Sequence, residues 1–165
     1  MNLEHLSTTQ KLTISGLMMA LYIVVLYTTQ SFSFGAYQIR IATSLYAVSY
    51  LCPFLIIPMG LANMLANFLF GGLGILDIVG GCIVGLLTTT LIVLIRRFRW
   101  NTAFIAIPII AVPGLGVAVW LSYLLNIPYP ALALSLCIGQ TVPGLCGVLL
   151  VKVLHRLFYE RSVRV

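Results

Sequence analysis

Long apolar blocks run along this chain, and the polar positions between them mark out its elements. The pattern predicts six helices, at about Leu12–Thr28, Ala42–Ile57, Gly60–Phe70, Ile75–Ile95, Thr102–Leu125 and Ala131–Leu154. Most are long enough to sit in a bilayer. The third is expected to be short, about 16 Å at 1.5 Å per residue, against a hydrocarbon core of about 30 Å, so it would need other helices or an aqueous cavity beside it. Pro58 and Gly60 are read as the break between the second and third helices, which could otherwise be counted as one. Pro108 and Pro113-Gly114 predict kinks in the fifth. Ser7 or Thr8 is the candidate cap of the first helix.

Composition turns these helices into membrane spans. Hydrophobic residues make up 61% of the 165 positions and charged residues 7%, with a mean hydropathy of +1.12; a soluble domain carries about 25% charged residues. The expectation is an all-α integral membrane protein with six transmembrane helices, residues 1–165 forming one domain. The first apolar run lacks an obvious small-residue cleavage site and is read as a retained helix.

The formal charge of +6 invites a nucleic-acid reading, but the basic residues sit in short clusters between apolar spans. Six crossings would place Lys11, Arg96, Arg97, Arg99, Lys152, Arg156, Arg161 and Arg164 on one side, the cytoplasmic one by the positive-inside rule, together with both termini. Arg40 alone would lie outside, near the Gly71–Asp77 turn. An exception to an otherwise uniform charge rule is the more informative charge.

Asp77 is the only acidic residue between Glu4 and Glu160. An ionisable group at membrane depth costs roughly 2.5 kcal/mol or more unless paired or wet, so Asp77 is a candidate substrate ligand or a salt-bridge partner of Arg40; the competing reading is a first-turn acid favoured by the helix dipole. Asn63 and Asn67 share one face of the third helix. Gln140, deep in the sixth span, must find hydrogen-bond partners, either on a solute or on another helix. Gln38, Arg40, Thr43, Asn67, Asp77 and Gln140 thus form the candidate substrate-binding set. Phe34, Tyr37, Trp120 and Tyr123 lie at similar heights and either stack on a flat ligand or form an interfacial belt, the belt being favoured for Trp120 and Tyr123. Gly16 and Ala20 stand four apart on the first helix, a spacing that lets another helix approach closely.

Cys52, Cys82, Cys137 and Cys146 form no C-x-x-C pair, and His5 and His155 have no second ligand at metal spacing. No metal or cofactor is expected. No phosphate loop, nucleophile elbow or zinc-protease motif is present, which disfavours an enzyme and leaves solute capture with energy supplied by a partner.

Gln38-Ile-Arg40-Ile41, the stretch Ala66-Asn67-Phe-Leu-Phe-Gly-Gly-Leu-Gly-Ile-Leu-Asp77-Ile-Val-Gly80, and Gly139-Gln140 resemble the QueT group over most of Lys11–Leu154. These are substrate-binding S components of energy-coupling factor importers, linked to uptake of queuosine precursors, the 7-deazaguanine bases. The resemblance implies a multi-pass protein of the bacterial cytoplasmic membrane, with its ligand near the outer face. It would dock on a transmembrane coupling protein driven by two ATPase subunits, using a small-residue face that here is Gly16 and Ala20. Two departures stand out. Where the family pattern reads R-I-S-E this chain has Arg40-Ile41-Ala42-Thr43, and where a glutamate follows the glycine of the last helix it has Gln140. Both remove a carboxylate, the natural counter-ion of a protonated aminomethyl group, and point to a less cationic deazapurine. Rival readings are an S component for a vitamin or aromatic amino acid, and a structural subunit of a membrane complex without a solute pocket.

Overall fold

The computed structural model describes residues 6–33, 38–71 and 73–163, all of them in helices or the turns joining them. Helix α1 spans Thr8–Thr28 and α2 is the four-residue turn Gln30–Ser33. A 3-10 helix runs Ile41–Tyr50. Helix α3, Ile56–Ala66, is preceded by a 3-10 turn, Pro53–Leu55, and continued by a π turn, Asn67–Gly71. Helix α4 is Ile75–Arg97, α5 is Ala106–Leu125 behind a 3-10 turn at Thr102–Ile105, and α6 is Tyr129–Val163. Among the described residues five stretches, against the six expected from the sequence, are long and apolar enough to cross a membrane: Thr8–Thr28, Pro53–Gly71, Ile75–Arg97, Thr102–Leu125 and Tyr129–Leu157.

The second and third elements depart from the sequence expectation. The break falls at Leu51-Cys52, ahead of Pro53. Pro53 opens its helical turn, where a missing N–H leaves nothing unsatisfied, and Pro58 lies in the first turn of α3, where it is tolerated for the same reason. The third span is therefore 19 residues long, and the short element is the second.

That second element is a 3-10 helix for a local reason. The hydroxyls of Thr43, Ser44 and Ser49 bond the carbonyls three residues back, those of Arg40, Ile41 and Tyr46, at 2.6–2.7 Å, and such back-bonding competes with regular α pairing. At about 2.0 Å per residue, ten residues reach about 20 Å instead of the 15 Å of an α-helix. Its backbone is shielded by other helices, since Ala42, Thr43, Ser44, Tyr46, Ala47 and Ser49 are buried. Irregular backbone at membrane depth requires that shielding.

The core has two parts. Tyr22 of α1 stacks on Tyr46, with ring centroids 5.6 Å apart and hydroxyls 3.1 Å apart, and around them pack Leu26, Leu55, Met59, Ile92, Ile109 and Val151. A second cluster, including Val84, Val117, Leu121 and Leu136, joins α4, α5 and α6. Helices α3 and α4 meet at Gly60 and Gly85, where a Cβ on Gly85 would stand 2.9 Å from the Gly60 Cα. Only glycine permits that approach. At the arginine-rich end, Arg96 Nη1 donates to the carbonyls of Tyr50 and Leu51 at 3.1 and 3.0 Å, satisfying groups that the end of the 3-10 helix leaves free.

Helix α1 is well capped and poorly packed. Ser7 is its cap: Ser7 Oγ accepts from the Gln10 backbone N–H and Gln10 Oε1 accepts from the Ser7 N–H, a capping box. Of its residues only Tyr22 and Leu26 are buried.

Candidate functional site

The sequence-predicted polar residues converge at the end of the bundle away from the arginine cluster, at the start of the 3-10 helix, the end of α3 and the start of α4. Gln38 is in the left-handed region, φ 42°, and from it the chain turns into the 3-10 helix with Arg40 directed inward. Arg40 is 5% exposed. Its Nη1 donates to Asn63 Oδ1 at 3.2 Å and its Nη2 to Asn67 Oδ1 at 2.8 Å. The two amides, one turn apart on α3, suit the planar fork of a guanidinium.

Each asparagine then uses its other end on α4. Asn63 Nδ2 donates to the Gly81 carbonyl at 2.7 Å and Asn67 Nδ2 to the Asp77 carbonyl at 2.8 Å. A Cβ on Gly81 would collide with Asn67 Nδ2, so glycine there admits the amide. Asn67 opens the π turn, and π turns inside helices occur frequently at functional sites. The link between Arg40 and Asp77 observed here runs through Asn67.

Asp77 is 3% exposed and sits in the first turn of α4. It does not cap that helix; the cap position is Gly74, with φ 84°, a backbone conformation that suits glycine. One carboxylate oxygen, Oδ1, accepts from Trp120 Nε1 at 3.1 Å. The other, Oδ2, is buried without a hydrogen-bond partner and lies against Gly71, where a Cβ would come within 2.6 Å. A buried carboxylate oxygen left unbonded costs about 1–3 kcal/mol or more.

A second chain of bonds holds the opposite wall. Thr43 Oγ1 lies 2.7 Å from the Arg40 carbonyl and 2.8 Å from Gln140 Oε1, so its single proton serves one of them at a time. Gln140 Nε2 donates to the Gln38 carbonyl at 3.0 Å. Gln140 therefore ties α6 to the 3-10 helix, the inter-helix reading of that residue. Arg40, Thr43, Asn63 and Gln140 surround a void of about 10 Å³, the size of a single water. Gln38 and Leu136 separate it from a cavity of about 430 Å³ walled by Leu73, Leu121, Leu125, Leu132 and Leu136, with Gln38, Ser135 and Gly71 at its edge. That volume lies within the range of small-molecule sites, which are mostly apolar with a few placed polar groups.

All six predicted site residues are thus in one place, and two more join them. Asn63, seen in the sequence only as a face-mate of Asn67, is a full member. For Trp120 the sequence favours the interfacial belt over stacking on a ligand; its indole instead bonds Asp77 and lies over Gly80, where a Cβ would come within 2.8 Å. The signal for it was Gly80, a small residue three after the acid. Tyr123, 77% exposed, fits the belt. Phe34 and Tyr37 lie outside the described residues.

Comparison with protein families finds that residues 12–156 match the model described as QueT transporter. No curated protein and no solved structure matches the chain.

Proposed function

This chain belongs to the QueT transporter family, a family of transport proteins, and from that premise we propose that it is the high-affinity substrate-binding subunit of an energy-coupling factor importer for a 7-deazaguanine base. The chain crosses the bacterial cytoplasmic membrane six times, the 3-10 helix being the second crossing, with both termini cytoplasmic and the candidate site toward the outer face. The observation that carries the reading is an apolar-walled cavity of about 430 Å³ standing over a buried polar cluster that contains an uncommitted carboxylate oxygen, Asp77 Oδ2. A flat base enters between the ends of α5 and α6, and displacement of Gly71 lets its donor edge, an amino group and ring N–H, bond Asp77. Asn67 and Arg40 hold the wall behind it, with Gln38, Thr43 and Gln140 on the facing side.

The two departures from the family pattern support a choice of base. Thr43 and Gln140, the positions where the pattern has carboxylates, are bonded to each other at 2.8 Å. Two neutral groups there satisfy one another and offer no counter-charge to an ammonium. This member favours an uncharged deazapurine over the aminomethyl form. Gly16 and Ala20 on α1 serve as the docking face for the transmembrane coupling protein, which two ATPase subunits drive.

The test is thermal unfolding of the protein in detergent with a panel of 7-deazaguanine bases, guanine, vitamins and tryptophan, since a ligand of the folded state raises the midpoint. A rise with a deazapurine that is lost in Asp77→Asn is expected. A rise with a vitamin or tryptophan and none with any deazapurine would replace the substrate. Tighter binding of the aminomethyl base than of the nitrile would remove the preference argued from Thr43 and Gln140.

A further inference from the structure

At the other end of the molecule, α4 and α5 enclose a groove of about 300 Å³ that no part of the candidate site touches. Leu91, Leu94, Ile107 and Ala111 line its length, and Phe98, Trp100 and Phe104 its mouth. The three rings form one run, with centroids 6.1 and 5.9 Å apart, and all three are exposed, Phe98 and Trp100 more than half.

The chain is turned into this groove by the end of α4. Arg99 N–H bonds the Arg96 carbonyl and Trp100 N–H the Ile95 carbonyl, both at 3.0 Å, the paired bonds of a Schellman cap. The left-handed residue of that cap is ordinarily glycine; here it is Arg99, φ 55°. Arg97 and Arg99 are exposed and flank Phe98 in the chain, the ring that lines the groove, while Arg96 is bound to the Tyr50 and Leu51 carbonyls. The helix-end carbonyls that would repel an anion are taken up by the cap, and among the described side chains the sole carboxylate, Asp77, lies in the first turn of the same helix. The result is an apolar groove, an aromatic collar, and two exposed guanidiniums on the segment that carries the collar.

We propose that this groove binds one anionic phospholipid, its acyl chain along Leu91, Leu94, Ile107 and Ala111 and its phosphate held by Arg97 and Arg99. Charge complementarity selects the occupant: a guanidinium pair matches a phosphodiester carrying net negative charge, whereas the choline of a zwitterionic lipid offers these arginines a like charge. The inference rests on the membrane embedding alone and stands independently of which solute is carried.

Trp100 is the reporter. The full chain is placed in nanodiscs containing brominated phosphatidylglycerol or brominated phosphatidylcholine at equal mole fraction, and the Trp100 signal is taken as the difference from Trp100→Phe, which leaves only Trp120. The expected result is at least threefold stronger quenching of Trp100 by the anionic lipid, a preference lost in Arg97→Gln/Arg99→Gln and also in Ala111→Phe, which fills the groove without changing charge. Thermal midpoints identify any variant that is misfolded, and the other then carries the comparison. Equal quenching by the two lipids would mean an ordinary interfacial aromatic belt and overturn the proposal; so would a preference that survives in a folded variant of either kind.

Discussion

Small residues line two helix faces of this protein and have different neighbours on each. Along α3 and α4, Gly60 and Gly85 bring two backbones together, and one turn farther along the same seam Gly81 makes room for the amides of Asn63 and Asn67. On α1, Gly16 has nothing within 4 Å of where a Cβ would stand, and Ala20 is exposed. The comparison teaches that a small-x-x-x-small spacing signals a close approach without saying whose. In the seam the approaching helix belongs to the same chain and the contact is structural. On α1 no described residue of the chain fills the space, which leaves that face open for the docking proposed above.

The contrast is sharpest at Gly85. Gly85→Leu drives a side chain into the Gly60 backbone and toward the Tyr46 hydroxyl, 3.3 Å from a Cβ there. It is expected to cost about 3 kcal/mol or more and to abolish a cooperative melt in detergent. A melt close to that of the wild type would mean that the seam is loose.

Arg40→Lys tests the polar end of the seam. An ammonium cannot reach both Asn63 Oδ1 and Asn67 Oδ1 in the plane of the guanidinium. A loss of about 2 kcal/mol is expected in chemical or thermal unfolding, with weaker ligand binding. Unchanged stability would make the asparagine pair incidental.

Trp120→Phe removes one neutral donor from Asp77 Oδ1 while keeping an aromatic ring over Gly80. About 1 kcal/mol is expected, read as a fall of about fivefold in ligand affinity by calorimetry. Because Asp77 is then free at both oxygens, a tighter-binding variant would show that the indole competes with the ligand.

Gly16→Leu, on the other face, is expected to leave the melt within about 0.5 kcal/mol of wild type and ligand binding unchanged, yet to stop uptake when the coupling protein and ATPases are present. Undiminished uptake would remove α1 as the docking face.

Much of the site was legible because hydrocarbon makes polar residues conspicuous. Arg40, Asn67, Asp77 and Gln140 each stood out in a chain that is 7% charged, and they proved to be neighbours. What misled was pattern without partners. Pro58-Gly60 resembled a helix break, yet proline in a first turn is harmless, and the break falls earlier, at Leu51-Cys52. Trp120 resembled a belt residue because its height along α5 is visible in sequence and its direction is not.

The sequence by itself determined that this is a membrane protein, where four of its long apolar helices lie, which end carries the cationic cluster, and which few polar side chains demand an explanation. Those follow from the cost of placing charge and unpaired backbone in hydrocarbon, which acts on each residue whatever its neighbours. Tertiary structure decided the rest: that Arg40 bonds two asparagines, that Thr43 and Gln140 satisfy each other, that one oxygen of Asp77 is held by an indole and the other left open, and that Gly85 has a partner while Gly16 has none among the described residues. Hydrogen bonds and close packing are pairwise and short in range, so they come into being only when the helices are placed against one another.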